Sequence, residues 1–156
     1  LAFAQGIADE APARVDLGAL AAELGEEAAR GGANVAVEQS GDVAVPGRAR
    51  ALKRCLANLI DNAAAHGDKV RLTIKGETDA VFASVDDDGP GIPEELYEEA
   101  FRPFSRLDET RSRNQKGVGL GLAIARDVAR AHGGDIALSQ SPLGGLRAML
   151  RLPRPA

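Results

Sequence analysis

Two asparagines four residues apart have the spacing needed to project from one row of a helix. Asn58 and Asn62 belong to an i, i+4 row that continues to His66 at the border of an apolar stripe. Carboxamide oxygens at such a half-buried border can coordinate a hard cation such as Mg²⁺, which also keeps water and phosphate oxygens as ligands. Taken alone, the pair is more simply interpreted as two solvated residues on a helix surface.

An acidic, glycine-rich loop over Asp87–Pro93 follows a predicted strand. Its glycines, Gly89 and Gly91, let the backbone approach a ligand closely. The Asp87 carboxylate at the strand end can accept a hydrogen bond from an exocyclic amine. Such an acceptor distinguishes adenine from guanine, which has a carbonyl at the corresponding position. An ordinary acidic turn is the alternative interpretation of this loop.

A second glycine-rich segment over residues 116–122 runs directly into a predicted helix. The unpaired N–H groups and the positive dipole end of a helix N-terminus attract an anion, and Lys116 adds a positive charge at the entrance. Because the lysine precedes the glycines, the pattern differs from GxxxxGK[ST], and its GxGxG spacing differs from the dinucleotide fingerprint GxGxxG. The segment therefore predicts a phosphate-binding loop of another kind.

Helical and strand periodicities predict the elements that must position these three groups. Helices are predicted at 16–30, 48–66, 94–101 and 120–132, and strands at 34–38, 42–45, 70–74, 81–85, 135–139 and 146–152. The turn at Ser40-Gly41 separates the first two strands, and Gly76–Asp79 joins the next two as a hairpin. The pattern predicts a two-layer α/β sandwich, in which a mixed, largely antiparallel sheet of about five strands packs three helices on one face and leaves the other in water.

Composition excludes several functional classes. The chain has 156 residues, enough for one domain with its own core, and its formal net charge of −4 gives no basic field for nucleic acid. One cysteine, Cys55, rules out an internal disulfide, and two histidines leave too few ligands for most zinc centres. No apolar run approaches the ~18 residues of a membrane span, so direct membrane insertion is not expected.

Taken together and in this order, the three groups resemble the N box and the two glycine boxes of the GHKL ATP-binding superfamily, which includes gyrase, Hsp90, MutL and the histidine kinases. The segment Leu56–Ala63 is similar to the NLxxNA helix of sensor histidine kinases, and Phe101–Arg106 looks like their F box. The resemblance covers residues 15–153 and implies the Bergerat-type ATP-binding fold. The segments at 133–136 and 141–145 look most like osmosensor-type kinases.

The resemblance also implies roles for individual residues. Asn62 would coordinate Mg²⁺ with support from Asn58, and Asp87 would bind the adenine amino group of ATP. The other residues expected to contact the nucleotide are His66, Gly89, Gly91, Ile92, Arg106, Arg111, Lys116, Gly117, Val118, Gly119, Leu120, Gly121 and Leu122. Residues 102–118 would form the ATP lid.

Two positions depart from the family pattern. His66 stands where many relatives have an aromatic ring over the adenine, and imidazole stacks more weakly than tyrosine. Ala65 stands where a lysine or arginine often reaches phosphate. These departures predict a modest nucleotide affinity. His132 is expected to interact with the dipole at a helix C-terminus rather than to act in catalysis.

The resemblance implies transfer of the γ-phosphoryl group to a histidine on a separate dimerisation domain, and from there to an aspartate of a response regulator. Hydrolysing members usually carry a glutamate where this chain has Asn58, and an asparagine cannot act as a general base. Neither His66 nor His132 lies in a phosphoacceptor motif. We therefore expect residues 1–13 to be the tail of a preceding dimerisation helix and 14–156 to be the catalytic domain, on the cytoplasmic side of a membrane-anchored, homodimeric receptor.

Two other functional classes are compatible with the same residues. A regulatory binding module would bind ATP and hold a partner without ever phosphorylating a dimerisation domain, and Ala65 is a small point in its favour. A GHKL ATPase, such as a topoisomerase or chaperone fragment, would release phosphate on its own. Asn58 disfavours the ATPase.

Overall fold

The computed structural model describes residues 10–103 and 121–155. Its strands are β1 (Ala13–Asp16), β2 (Asn34–Ser40), β3 (Ala44–Gly47), β4 (Lys69–Gly76), β5 (Ala80–Asp87), β6 (Asp135–Gln140) and β7 (Leu146–Pro153). Its helices are α1 (Leu17–Arg30), α2 (Ala49–His66), α3 (Tyr97–Ala100, after a 3₁₀ turn at Glu94–Leu96) and α4 (Gly121–Ala131). None of the described helices is long and apolar enough to cross a membrane.

Five strands form one sheet in the order β2-β4-β5-β7-β6. The β2–β4 pair is parallel, and the other three pairs are antiparallel. The β4–β5 hairpin closes where the Glu77 N–H donates to the Ala80 carbonyl oxygen at 2.9 Å. The predicted mixed, largely antiparallel five-stranded sheet is therefore confirmed.

The helices cover one face of this sheet: α1 lies on β2, α2 on β5 and α4 on β6. The leucines of α2 are spaced for one helical stripe, and Leu52, Leu56 and Leu59 are all buried at its centre. They belong to one hydrophobic core with the inward-facing residues of β4, β5 and β7. Burial of this stripe fixes α2 on the sheet, so the polar row of the same helix has a defined direction.

A separate two-stranded ribbon differs from the prediction for the first strands. The sequence pattern placed two short strands around Ser40-Gly41, but β2 pairs with β4, whereas β3 pairs antiparallel with β1. Pro46-Gly47, expected to interrupt the chain, lies within β3, and Pro46 is tolerated because this ribbon has open edges. The β1 strand was missed because Val15 is its only buried residue.

The N-terminus of α2 is capped by a residue 40 positions away. Arg48, at the N-cap position, makes no side-chain cap, and the Glu10 carboxylate instead accepts the N–H groups of Arg50 (2.9 Å) and Ala51 (3.2 Å). The Arg48 N–H donates to Nε2 of His132 at the end of α4 (3.1 Å). The start of α2 is therefore tied to the chain before β1 and to the end of α4.

Replacing Glu10 by alanine should lower the free energy of unfolding by about 1 kcal/mol, because two N–H groups of α2 lose their acceptor. Burial raises the pKa of Glu10, but the hydrogen bonds from the backbone of Arg50 and Ala51 together lower it by more. The pKa of Glu10 in the folded state is therefore below the usual value. The stabilisation should be complete above the unfolded pKa and disappear as the pH falls through the folded one. Urea unfolding of wild type and Glu10→Ala at several pH values measures both effects.

Glu26→Gln is the matched control, since Glu26 is an exposed acidic residue of α1. An equal loss of stability in both variants, or a loss in Glu10→Ala that does not shrink as the pH is lowered, would contradict the capping role.

Candidate nucleotide-binding site

The three groups singled out in the sequence converge on the C-terminal half of α2. Gly121, which opens α4, lies so close to α2 that a Cβ there would sit 3.8 Å from the Asn58 carbonyl oxygen. A Cβ on Gly89 would overlap the carbonyl oxygen of His66 at the end of the same helix. The described ends of both glycine segments therefore meet the helix that carries Asn58 and Asn62.

The Asp87 carboxylate is buried where β5 ends, with 1% of the residue exposed. Its Oδ1 accepts two backbone N–H groups, from Gly89 at 2.9 Å and from Leu146 at 3.2 Å. No described residue donates a hydrogen bond to its Oδ2. One oxygen is thus fixed by the protein while the other is left to accept a hydrogen bond from a ligand.

The neighbouring carboxylate of Asp88 fixes the loop to the chain that follows α2. Its Oδ1 accepts the N–H groups of Asp68 (2.7 Å) and Lys69 (3.0 Å). These two hydrogen bonds hold the pKa of Asp88 below its usual value, and the bond from the Lys69 N–H has the larger effect. Gly91 continues the loop with φ +66°, a conformation that side chains other than glycine rarely adopt.

Asn58 and Asn62 are both half-buried, as the border position predicted. The Nδ2 of Asn58 is buried and has no hydrogen-bond partner in the structure, so this carboxamide is available for a polar group of a ligand. No cluster of three His, Cys, Asp or Glu side chains within residues 10–103 and 121–155 could hold a metal. A magnesium ion with one carboxamide ligand and several phosphate and water oxygens fits this donor set.

A cleft of about 630 Å³, within the usual range for small-molecule sites, lies along Pro90–Pro93 in the second half of this loop. Gly91 and Ile92 line one side, with Tyr97 from α3 and Leu138 from β6. Ile92 also packs against the hydrophobic core. Glu94, Ser139 and Gln140 add polar groups to the same lining, so the cleft offers both apolar and hydrogen-bonding surface to a small molecule.

Two predicted contacts take a different form in the structure. The sequence placed His66 at the border of the apolar stripe, but the loop that packs on the end of α2 leaves it only 2% exposed. Leu122 is 4% exposed and packs in the core. Its side chain is therefore unavailable to a nucleotide, and only its backbone N–H, in the first turn of α4, can serve an anion.

Seven of the expected contact residues lie outside the described part of the chain: Arg106, Arg111, Lys116, Gly117, Val118, Gly119 and Leu120.

Helices α3 and α4 are joined by Arg126 of α4, a residue that the sequence analysis did not single out. Its guanidinium stacks 4.2 Å from the centre of the Phe101 ring and pairs with Glu98 at 2.6 Å. Arg126 thus holds α3 against the first turns of α4.

The remaining reactive side chains are structural. Nδ1 of His132 lies 2.8 Å from the Val128 carbonyl oxygen, and its Nε2 accepts the Arg48 N–H, so both ring nitrogens are engaged at the end of α4. Cys55 is fully buried, and burial raises the pKa of its thiol to about 12. It is therefore inert as a nucleophile at neutral pH.

Comparisons with known proteins show the family of the chain. Residues 47–156 match the HATPase_c model, described as histidine kinase-, DNA gyrase B-, and HSP90-like ATPase. The chain is 50% identical over 109 residues to the sensor histidine kinase GtrS of Pseudomonas aeruginosa, which is 70% of this chain and 22% of GtrS. It therefore spans less than a quarter of the length of this relative.

Two solved structures have the same fold over nearly the whole chain. The ATP-binding domain of PrrB from Mycobacterium tuberculosis superposes with a TM-score of 0.78 at 32% identity, over 93% of this chain and 98% of that one. The histidine kinase domain of the E. coli osmosensor EnvZ gives a TM-score of 0.72 at 32% identity, over 94% and 92%.

Replacing Gly89 by alanine should lower the free energy of unfolding by about 1–3 kcal/mol, because the new Cβ would overlap a backbone carbonyl that cannot rotate away. Gly31→Ala is the matched control, since a Cβ there would lie 3.5 Å from the Ala28 carbonyl oxygen, an ordinary contact. Urea unfolding of the two variants checks the difference. Equal stabilities would mean that the loop does not pack on α2 as described.

Proposed function

The chain belongs to the HATPase_c family of ATP-binding domains, and on that premise we propose that it is the catalytic domain of a sensor histidine kinase. It would bind ATP at Asp87 and pass the γ-phosphoryl group to a histidine imidazole supplied by another domain. In this step the bond from the γ-phosphorus to the bridging oxygen breaks, a nitrogen–phosphorus bond forms, and ADP leaves.

The observation that carries the proposal is that the protein binds only one of the two oxygens of Asp87 within the described residues. Oδ1 is fixed by the Gly89 and Leu146 N–H groups, so the direction of Oδ2 is set before any ligand arrives. A buried carboxylate with one oxygen left open pairs with the 6-amino group of adenine. It would face the 6-carbonyl of guanine with an unfavourable oxygen–oxygen contact.

Asn58 supports phosphoryl transfer over hydrolysis. A water molecule needs a general base to become a good nucleophile, and a carboxamide cannot accept the proton. A neutral imidazole carries a lone pair and needs no such activation. Positioning of the two reactants and stabilisation of the transferred charge then supply the catalysis.

The cation and the partners follow from the same proposal. Asn62 would offer its carboxamide oxygen to Mg²⁺, whose charge would offset that of the phosphates. The histidine would lie on a dimerisation domain of the same receptor, with residues 1–13 leading from it into the catalytic domain at 14–156. The phosphoryl group would continue to a response regulator, and the receptor would be a membrane-anchored homodimer with this domain in the cytoplasm.

Asp87→Asn should weaken ATP binding roughly a hundredfold or more. An asparagine would keep its Oδ1 on the two backbone N–H groups and turn its Nδ2 towards the adenine amino group, so that two donors would face each other. Calorimetric titration of the chain with ATP and with GTP, each with and without Mg²⁺, measures the loss. Asp79→Asn, in the exposed β4–β5 turn, is the control and should bind ATP as wild type does.

Unchanged ATP affinity in Asp87→Asn would remove the adenine assignment. A wild-type chain that binds ATP and GTP equally well would do the same.

Asn62→Ala should reduce phosphoryl transfer by about a hundredfold or more while leaving metal-free nucleotide binding within a few fold. The reason is that the carboxamide oxygen is offered to the cation rather than to the base. Transfer of the γ-phosphate from labelled ATP to an added dimerisation domain of a related sensor kinase, over a range of Mg²⁺ concentrations, gives the rate. Asn34→Ala, at the exposed start of β2, is the control.

The same assay separates the alternative classes. ATP binding with no labelling of any related dimerisation domain would favour a regulatory binding module, and phosphate release by the isolated chain would favour an ATPase. Full transfer activity in Asn62→Ala at low Mg²⁺ would show that the metal role is wrong.

A further inference from the structure

A buried carboxylate and a half-buried guanidinium form an ion pair on the face of the sheet that carries no helices. Asp86 has no exposed surface, although its side chain lies on the face opposite to the helices. Both of its oxygens are bound by Arg147, with Nε–Oδ1 at 2.8 Å and Nη2–Oδ2 at 3.1 Å. The prediction that this face is left in water therefore fails where β5 ends and β7 begins, because Arg147 covers the carboxylate there.

The ion pair lies next to Asp87, the proposed hydrogen-bond acceptor of the candidate site, on the opposite face of the sheet. Asp86 precedes Asp87 on β5, and Arg147 follows Leu146 on β7. Side chains alternate along a strand, so Asp86 and Arg147 share one face, while Asp87 meets the Leu146 N–H at the same strand ends. The Gly145 N–H also donates to the Asp87 carbonyl oxygen, at 3.1 Å.

A contribution to the stability of the fold does not by itself explain why this ion pair is present. A buried ion pair can often be replaced by uncharged residues at little cost, because desolvation offsets the attraction. The next register pair on the same face of β5 and β7 is Ser84 with Met149, which shows that uncharged residues fit between these two strands. The bidentate contact differs from such a pair in fixing the distance and direction between the strands.

We infer that Asp86 and Arg147 are positioning residues for adenine selectivity. By clamping β5 to β7 on one face, they hold the Leu146 N–H against Oδ1 of Asp87 on the other, and so fix the direction in which Oδ2 points. The inference rests on the proposed function, since it takes Asp87 as the acceptor for the base. Without the clamp, Asp87 can turn, and its preference for an amino group over a carbonyl weakens.

The double variant Asp86→Ser with Arg147→Met tests the clamp, since it copies the neighbouring Ser84–Met149 pair. We expect a melting temperature close to that of the wild type, an ATP dissociation constant about tenfold higher, and an ATP-to-GTP affinity ratio about tenfold lower. Hydrogen exchange of the Leu146 amide, followed by NMR, should become faster in the double variant. A role confined to stability would not change the affinity ratio in a variant that is still folded.

Two further variants complete the test. Glu23→Gln with Lys53→Met removes an exposed ion pair between α1 and α2, at 2.5 Å, and should change neither nucleotide affinity nor selectivity. Arg147→Lys keeps the charge but loses the bidentate contact. It should show an intermediate loss of selectivity, and it replaces the double variant if that variant does not fold.

An unchanged ATP-to-GTP ratio and an unchanged Leu146 exchange rate in a folded clamp variant would overturn the inference. Asp87→Asn, measured alongside, separates this result from failure of the proposed function. If Asp87→Asn loses ATP binding while the clamp variants keep their selectivity, the clamp is wrong and the site stands. If Asp87→Asn binds ATP as wild type does, the site assignment fails and the clamp inference falls with it.

Discussion

The fixed carboxylate of Asp87 is the constraint on which the candidate site depends. Its Oδ1 is held from two sides by the N–H groups of Gly89 and Leu146, so the two glycine-containing turns must approach it closely. A Cβ on Gly145 would overlap Oδ1 itself, and one on Gly89 would overlap the end of α2. Glycine is required at these two positions because the chain has to close around a buried charge without displacing it.

Helix α2 is fixed at both ends, and this converts a local sequence pattern into a defined site. Glu10 and His132 hold its first turn, and the loop at Gly89 packs on its last residue. Asn58 and Asn62 lie between these two attachments. Because a packed helix has little freedom to slide or turn, the distance from the carboxamides to Asp87 is set by the fold rather than by the ligand.

Local patterns predicted much of this fold, and long-range contacts explain what they did not predict. Periodicity placed α2 and the β4–β5 hairpin within one or two residues. The ribbon of β1 and β3 joins segments thirty residues apart, and one valine in a four-residue strand gives no usable pattern. Such pairings depend on partners that no local window contains.

In the candidate site, too, local patterns predicted some residues and long-range contacts explain the others. The motifs indicated Asp87, Asn58 and Gly121, and the described parts of these motifs do converge on α2. The donors that orient Asp87 were not predicted, because a backbone N–H, such as that of Leu146, carries no residue-type signature. The burial of Asp86 was also missed, since alternation assigns it to the open face and the side chain that binds it, Arg147, comes sixty-one residues later.

The two histidines of this chain are both poorly placed to accept a phosphoryl group. The chain contains two histidines, His66 and His132. Both ring nitrogens of His132 are engaged, one near the Val128 carbonyl and the other with the Arg48 N–H, at the start of α2, whereas Asn62 lies in the last turns of that helix. His66 is 2% exposed, and in-line attack needs a lone pair that can reach phosphorus from the open side. The contacts that fix α2 therefore use one histidine as a structural hydrogen-bond acceptor and enclose the other, so under the proposed function the nucleophile would be supplied by another domain.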